Sequence, residues 1–415
     1  TMRPLTSRII LPGLLLTLCF SASSQAQEQN ALVVFDEAVA LVEERFYDPT
    51  LNGINWDRAV RLSRSRLGPD TDREALAAEL NGLLDQLGAS HTQFLTRDDP
   101  RWYQLVGVFI DGYQPLQEAL DPYLSNGAPV FSGVGLMLEH YETGHFVVGV
   151  LDGSPAQAAG ILVGDRMVAA DGSPFHPIRS FAGKDGRTVA VTLERAPGDR
   201  LELNVVPELM DGRQMFEDAL RKSVRIIETD GLAIGYLRAW SYAGRRYQDI
   251  VSRELVNGTL KDADAFILDI RGGWGGADPS YLNLFSDSSI VASSINRDGE
   301  ETRFATGWSR PVVLLADEGS RSGKELLAFG FRALSKGPIV GERTAGAVLA
   351  GQINALSDGS VLYLAVTDVR VNGERLEGVG VPPDIEVPFD PRYAAGSDPQ
   401  LDRAVEEATK LVRAE

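Results

Sequence analysis

The sequence predicts a multidomain α+β protein with a helical N-terminal domain, a small β-rich domain and an α/β core. Three observations predict it. At ~150 residues per domain, a chain of 415 residues suggests about three domains. The apolar pattern changes texture twice, near residue 131 and again after residue 207. Beyond the second change, short apolar runs alternate with helical periods, as expected of strands buried on both faces. Apolar residues make up 44% of the chain and charged residues 24%, which excludes a mostly disordered protein. Forty Lys and Arg stand against 58 Asp and Glu, a net charge of −18. That balance repels nucleic-acid phosphates and argues against a nucleic-acid partner.

Residues 1–26 read as a secretory signal, cut after Ala26. Arg3 and Arg8 precede the apolar run Ile9 to Phe20, and small residues follow. The expectation is export across the inner membrane, with the mature chain in the periplasm. The only cysteine, Cys19, lies inside this segment, so a mature chain has no disulfide and no thiol nucleophile. No later stretch is apolar enough to span a membrane.

Residues 27–104 read as helical: Val34, Phe35, Ala38, Leu41 and Val42 recur at helical spacing, as do Leu76, Leu80, Leu83, Leu84 and Leu87. Residues 105–130, with Gly112, Pro115, Pro122, Gly127 and Pro129, read as a connecting segment. Residues 131–207 alternate short β-branched runs with turns such as Asp152-Gly153-Ser154-Pro155 and Asp171-Gly172. In residues 208–415, Ala233 to Leu237, Ala265 to Ile270 and Val312 to Ala316 read as buried strands. Tyr247 to Leu255, Pro279 to Phe285 and Gly323 to Ser335 read as helices.

Four segments hold residues suited to chemistry. Leu268 to Gly276 ends a strand in a loop with four glycines, whose exposed N–H groups suit an oxyanion or a phosphate. Ser322 sits where a Gly/Ser turn enters a helix, and free N–H groups there favour developing negative charge. His91, flanked by Ser90 and Thr92, has the residue type usual for a general base. Glu377, in a Gly/Pro-framed loop, can orient a base. Taken singly, each segment reads better as a plain turn, an N-cap, a structural histidine or a turn acid. The histidines and cysteine are too few and too scattered for a metal centre, and no phosphate-binding or dinucleotide fingerprint stands in proper context, so no cofactor is expected.

In order along the chain these segments resemble the C-terminal processing (tail-specific) serine peptidases and their tricorn-like relatives. Phe46-Tyr47-Asp48 and Asn55-Trp56 resemble the family's helical opening. Residues 131–207 are similar to a PDZ module. Its Gly133-Val134-Gly135-Leu136 resembles the loop that receives a peptide carboxylate, and Ser154-Pro155-Ala156 through Gly164-Asp165 matches the usual run behind it. Asp269-Ile270-Arg271 with Gly275-Gly276, then Gly341 to Gly346, resemble a crotonase/ClpP-like core. The resemblance implies Ser322 as nucleophile, with the N–H groups of Gly276 and Gly323 as oxyanion donors. Many members carry a Lys where this chain has Ala347, so a Ser/Lys dyad fails here. The tricorn-like branch resembles a Ser-His-Ser-Glu arrangement, which implies His91 as base, held by Ser90 and Glu377. A pH-dependent arm near the His value, ~6.5 if unperturbed, is then expected in the rate. The implied substrates are proteins or peptides with free C-termini. Two other readings stay open: an inactive peptide-binding scaffold, and an esterase using the same serine.

Overall fold

The computed structural model describes residues 30–286 and 290–414. The expected signal segment and Cys19 lie outside them. Helices α1 (Ala31–Arg45), α2 (Trp56–Arg64) and α3 (Arg73–Leu84) open the chain. Each starts on an Asn or Asp whose side chain accepts a first-turn N–H: Asn30, Asn55 and Asp72. Their apolar faces do not close on one another alone. Val34, Phe35, Leu80, Leu84 and Phe94 share a core with Leu349, Leu362 and Leu364 from the far end of the sequence. Strand β1 (Gln93–Leu95) completes the join.

Residues 105–130 are not a bare connector. They carry the second half of α4 (Pro100–Phe109) and all of α5 (Gln114–Leu120). Trp102, Leu105, Val106, Leu116 and Leu120 from these helices lie in the main core. Pro100 and Pro115 occupy first-turn positions, where a missing N–H costs nothing.

A β-rich unit follows. Strand β2 (Val130–Gly133) pairs away from the main sheet of this unit. That sheet is built from β3 (Leu136–Tyr141), β4 (Gly144–Val150), β5 (Arg166–Ala170), β6 (Ser173–Pro174), β7 (Val189–Ala196) and β8 (Asp199–Val205). The one-turn helix α6 (Pro155–Ala158) lies between β4 and β5. The order is β3-β4-β5-β7-β8, with β6 on β5, so β3 is an edge. Strand β9 (Glu208–Asp211) returns to pair β2 antiparallel.

The last part holds α7 (Met215–Ser223), β10 (Arg225–Thr229), β11 (Leu232–Arg238), α8 (Arg245–Val256) and β12 (Ala265–Asp269). A hairpin of β13 (Val291–Ile295) and β14 (Glu301–Ala305) precedes β15 (Val312–Ala316) and α9 (Gly323–Ala333). Then come β16 (Ile339–Gly341), β17 (Ala350–Ala355) and β18 (Val361–Thr367). The hairpin of β19 (Arg370–Val371) and β20 (Glu374–Arg375), strand β21 (Ile385–Glu386) and α10 (Pro399–Ala414) end the fold. Pro279 to Leu284 is a 3₁₀ turn rather than an α-helix.

The central sheet runs β10-β11-β12-β15-β16-β21, parallel from β11 onward. Every residue of β12 and β15 is buried, because α10 covers one face and α7, α8 and α9 pack toward the other. A second sheet, β1-β18-β17, binds the N-terminal helices to this core: Gln93 pairs Tyr363 and Leu95 pairs Val361. This pairing carries residues 90 and 91 to the core. Among the described residues no helix is long and apolar enough to cross a membrane.

Candidate active site

Ser322 is the N-cap of α9, at φ 58° and ψ −130°. A side chain in that left-handed region is strained, and such strain persists where surrounding contacts hold it. Three contacts hold Ser322. Its N–H donates to the Ala347 carbonyl at 2.8 Å. Glu325 Oε2 accepts from the same N–H at 3.3 Å. Gly275 packs so closely that a Cβ there would lie 2.5 Å from the Ser322 Cβ.

Glu325 is fully buried and organises the segment behind Ser322. It accepts from the Thr344 hydroxyl at 2.6 Å and from the N–H groups of Gly346 and Ala347, both at 2.7 Å. The sequence reading passed over this residue, although Ser322 and Glu325 carry the Ser-x-x-Glu spacing of a capping box. Ala347, the position without its Lys, thus serves through its backbone on both sides.

The Gly-rich loop runs beside Ser322. Gly272 N–H donates to Asp317 Oδ1 at 2.9 Å, Trp274 N–H to the Trp240 carbonyl at 2.8 Å, and Tyr242 N–H to the Gly275 carbonyl at 3.1 Å. Gly273, at φ 65°, lies against the Trp240 carbonyl, and any side chain there would overlap it. Trp274 Nε1 donates to the buried Gln104 at 3.0 Å. Gly276 and Gly323 are neighbours: a Cβ on Gly323 would lie 2.9 Å from the Gly276 carbonyl carbon. Among the described residues, neither the Gly276 N–H nor the Gly323 N–H has a protein acceptor. The strand end before the loop is fixed by the buried Asp269–Arg271 pair at 2.7 Å, extended to Asp398 at 2.8 Å. Burial pushes the Asp269 carboxyl up, but the Arg271 and Arg238 guanidiniums outweigh it and hold it well below the usual range.

Ser90, His91 and Glu377 form one hydrogen-bonded cluster across 287 residues of sequence. Ser90 Oγ lies 2.9 Å from His91 Nδ1 and donates to Glu377 Oε2 at 2.9 Å. Glu377 also accepts from the N–H groups of Ser90 at 2.9 Å, Val348 at 2.7 Å and Leu349 at 3.1 Å. Val348 follows Ala347, whose carbonyl holds Ser322. One short segment therefore carries Ser322 on one side and Glu377 on the other. His91 stands in the left-handed region, at φ 54°, just before β1. Its ring packs on Tyr363 at 5.2 Å. Burial pushes the His91 imidazolium down to about 4. The Arg321 charge adds to that, and Glu377 opposes it. The unperturbed titration expected from sequence thus gives way to desolvation.

Lys324, next but one to Ser322, is fully buried and turns away from it. Its Nζ donates to the carbonyls of Gly272 at 2.8 Å and Trp240 at 3.1 Å. Burial drives it down to about 7.

In the β-rich unit, Gly133 ends β2, Leu136 begins β3, and Val134 and Gly135 turn between them. The Val134 carbonyl accepts from Ala156 N–H and the Gly135 carbonyl from Leu151 N–H, both at 2.9 Å. Among the described residues the N–H groups of Val134 and Gly135 have no protein acceptor. This loop and Ser322 belong to different units. No group of three or more His, Cys, Asp or Glu among the described residues is placed to hold a metal ion.

Residues 233–387 match Peptidase family S41. The chain is 27% identical over 396 residues to carboxyl-terminal-processing peptidase 3, chloroplastic, of Arabidopsis thaliana, covering 89% of this chain and 72% of that one. It is 27% identical over 406 residues to tricorn protease homolog 1 of Streptomyces coelicolor, covering 90% of this chain but only 34% of that longer protein. In fold it is similar to the crystal structure of the tricorn protease, with a TM-score of 0.54 at 20% identity over 92% of this chain and 37% of that one. The parallel sheet with Ser322 at the head of α9 lies within the stretch that matches this peptidase family, and nearly the whole chain is similar to carboxyl-terminal-processing and tricorn-type serine peptidases.

Proposed function

We propose that the protein is an exported serine endopeptidase that uses a Ser322/His91 pair and acts on proteins or peptides engaged near their C-termini. The observation that carries the reading is the relay Glu377–Ser90–His91 at 2.9 Å per step. The Ser90 proton goes to Glu377, so the Ser90 lone pair accepts from Nδ1–H of His91. That leaves Nε2 unprotonated and able to take a proton. The lowered His91 value keeps the ring neutral at pH 7, as a base must be.

Ser322 Oγ attacks the scissile carbonyl carbon, and its proton passes to His91 Nε2. The carbonyl oxygen becomes an oxyanion beside the free N–H groups of Gly276 and Gly323. Donors of this kind supply ~3 kcal/mol each. The C–N bond then breaks as His91 returns the proton to the leaving amine. Water, deprotonated by His91, cleaves the acyl-enzyme and regenerates Ser322.

Residues 131–207 are read as a PDZ-like module. Val134 and Gly135 offer free N–H groups to a terminal carboxylate, and the edge of β3 offers a ladder for an extended peptide. The signal-like N-terminal segment supports export to the periplasm.

The test is cleavage of an unfolded protein with an apolar C-terminus, followed by mass, beside Ser322→Ala and His91→Ala. Loss of cleavage in both supports the pair. Retained cleavage in His91→Ala overturns the base. Binding of C-terminal peptides without cleavage would favour the scaffold, and cleavage of esters alone would favour the esterase.

A further inference from the structure

Lys324 has no part in the chemistry above, yet its amine is buried two residues along from Ser322. It is 0% exposed and lies on the first turn of α9, the helix that carries Ser322 and Gly323. Its two acceptors belong to other elements. Gly272 opens the Gly-rich loop that ends in Gly276, and Trp240 follows β11. The Trp240 carbonyl accepts a second bond, from Trp274 N–H of the same loop. Lys324 Nζ therefore touches both the loop and the strand end on which the loop rests.

We infer that Lys324 is a positioning residue that sets the gap between the two oxyanion donors, by tying the helix carrying Gly323 to the loop carrying Gly276. The inference rests on the roles proposed above for Ser322 and the two glycines. The physical need is plain. The Gly276 and Gly323 N–H groups come from separate segments, and a donor acts fully only when held at the site where the oxyanion forms. Asp317 fixes the start of the loop from β15 through Gly272 N–H. Lys324 fixes the same residue from α9 through its carbonyl. Burying an ammonium is costly and is tolerated where its donors are met by good acceptors. A leucine or methionine would fill the space without that cost, but it would leave the Gly272 carbonyl without this donor.

The test compares wild type with Lys324→Met and Lys324→Gln in the full chain. Lys324→Met keeps the volume and removes the donors; Lys324→Gln keeps two N–H donors without the charge. Steady-state cleavage of one peptide gives kcat and KM separately. Hydrogen exchange followed by mass reports residues 270–277 directly. For Lys324→Met the expected result is kcat lower by about 10²-fold with KM within a factor of about two, the signature of a lost transition-state contact. Exchange in 270–277 should quicken while the rest of the central sheet is unchanged. Lys324→Gln should recover much of both.

Unchanged exchange in a folded Lys324→Met protein overturns the tie. Faster exchange with unchanged kcat overturns its link to the donors. Should Lys324→Met not fold, Lys324→Gln decides: wild-type exchange and rate support the tie, and loss of both despite its donors overturns it. If wild type cleaves nothing, the function proposed above fails, while the exchange arm still decides whether Lys324 holds the loop.

Discussion

His91 and Lys324 are the two nitrogen bases that bear on the role of Ser322, and burial lowers both. Their surroundings give them opposite uses. His91 meets a hydroxyl that fixes one ring nitrogen and leaves the other available. Lys324 spends its donors on two backbone carbonyls and is closed off from the nucleophile. Proximity in sequence would favour Lys324, two residues from Ser322, over His91, which lies 231 positions upstream. The geometry reverses that ranking, because a helix directs positions two apart to different sides. A lowered value marks a candidate base; the partners decide whether it can act as one.

Five measurements sharpen or break this contrast. The largest effect belongs to His91→Ala, which should lower kcat by about 10⁴-fold, against about 10²-fold for Lys324→Met. Equal losses would erase the distinction between base and support. Next, Ser90→Ala should cost about 10²-fold in kcat, because Nδ1 loses the acceptor that sets its tautomer. Glu377→Gln should lose activity and also about 1–3 kcal/mol of stability, since one of the two acceptor positions becomes an NH2 that faces an N–H donor, that of Ser90 when the oxygen keeps Val348 and Leu349. A chemical melt beside the rate assay separates the two effects.

The fourth concerns pH. A base lowered to about 4 keeps its activity well below pH 6.5, so the acid limb of kcat/KM should fall near 4. Arg321→Gln removes a cation that disfavours the imidazolium, so it should move that limb upward; a downward move would contradict the geometry. The same shift links to stability. The unfolded chain takes up the His91 proton near 6.5 and the folded chain only near 4. Stability therefore falls as pH drops through that window, by at most roughly 3 kcal/mol, and His91→Ala should flatten the slope. The smallest effect is Ala347→Lys, which should bring no gain in rate, because the base position is filled. A clear gain would restore a Ser/Lys scheme.

The candidate site was legible in the sequence as far as its motifs are local. Ser322 with its Gly323, the glycines of the 272–276 loop, and Ser90-His91 each stand in short runs that are ambiguous singly, and their order along the chain is what carries the resemblance. What was not legible depends on distant contacts. The pairing of Gln93 with Tyr363 leaves no trace in either segment, so the helical N-terminal part read as a separate domain. Residues 105–130 read as a connector because proline and glycine usually break helices. Here Pro100 and Pro115 start them, and Gly107 sits inside α4 where a side chain would overlap the Gly212 backbone. The lowered His91 value likewise follows from burial against residues such as Tyr363, which no spacing rule supplies.

The seam between β1 and β18 also bears on when the protein becomes active. A ribosome delivers His91 early and Glu377 almost last, and the two are joined through Ser90 across 287 residues. A chain halted before residue 361 has no strand on which to dock β1. On the mechanism proposed above, an incomplete or partly unfolded molecule has its serine without an oriented base. On that mechanism, completion of the fold is what supplies the base.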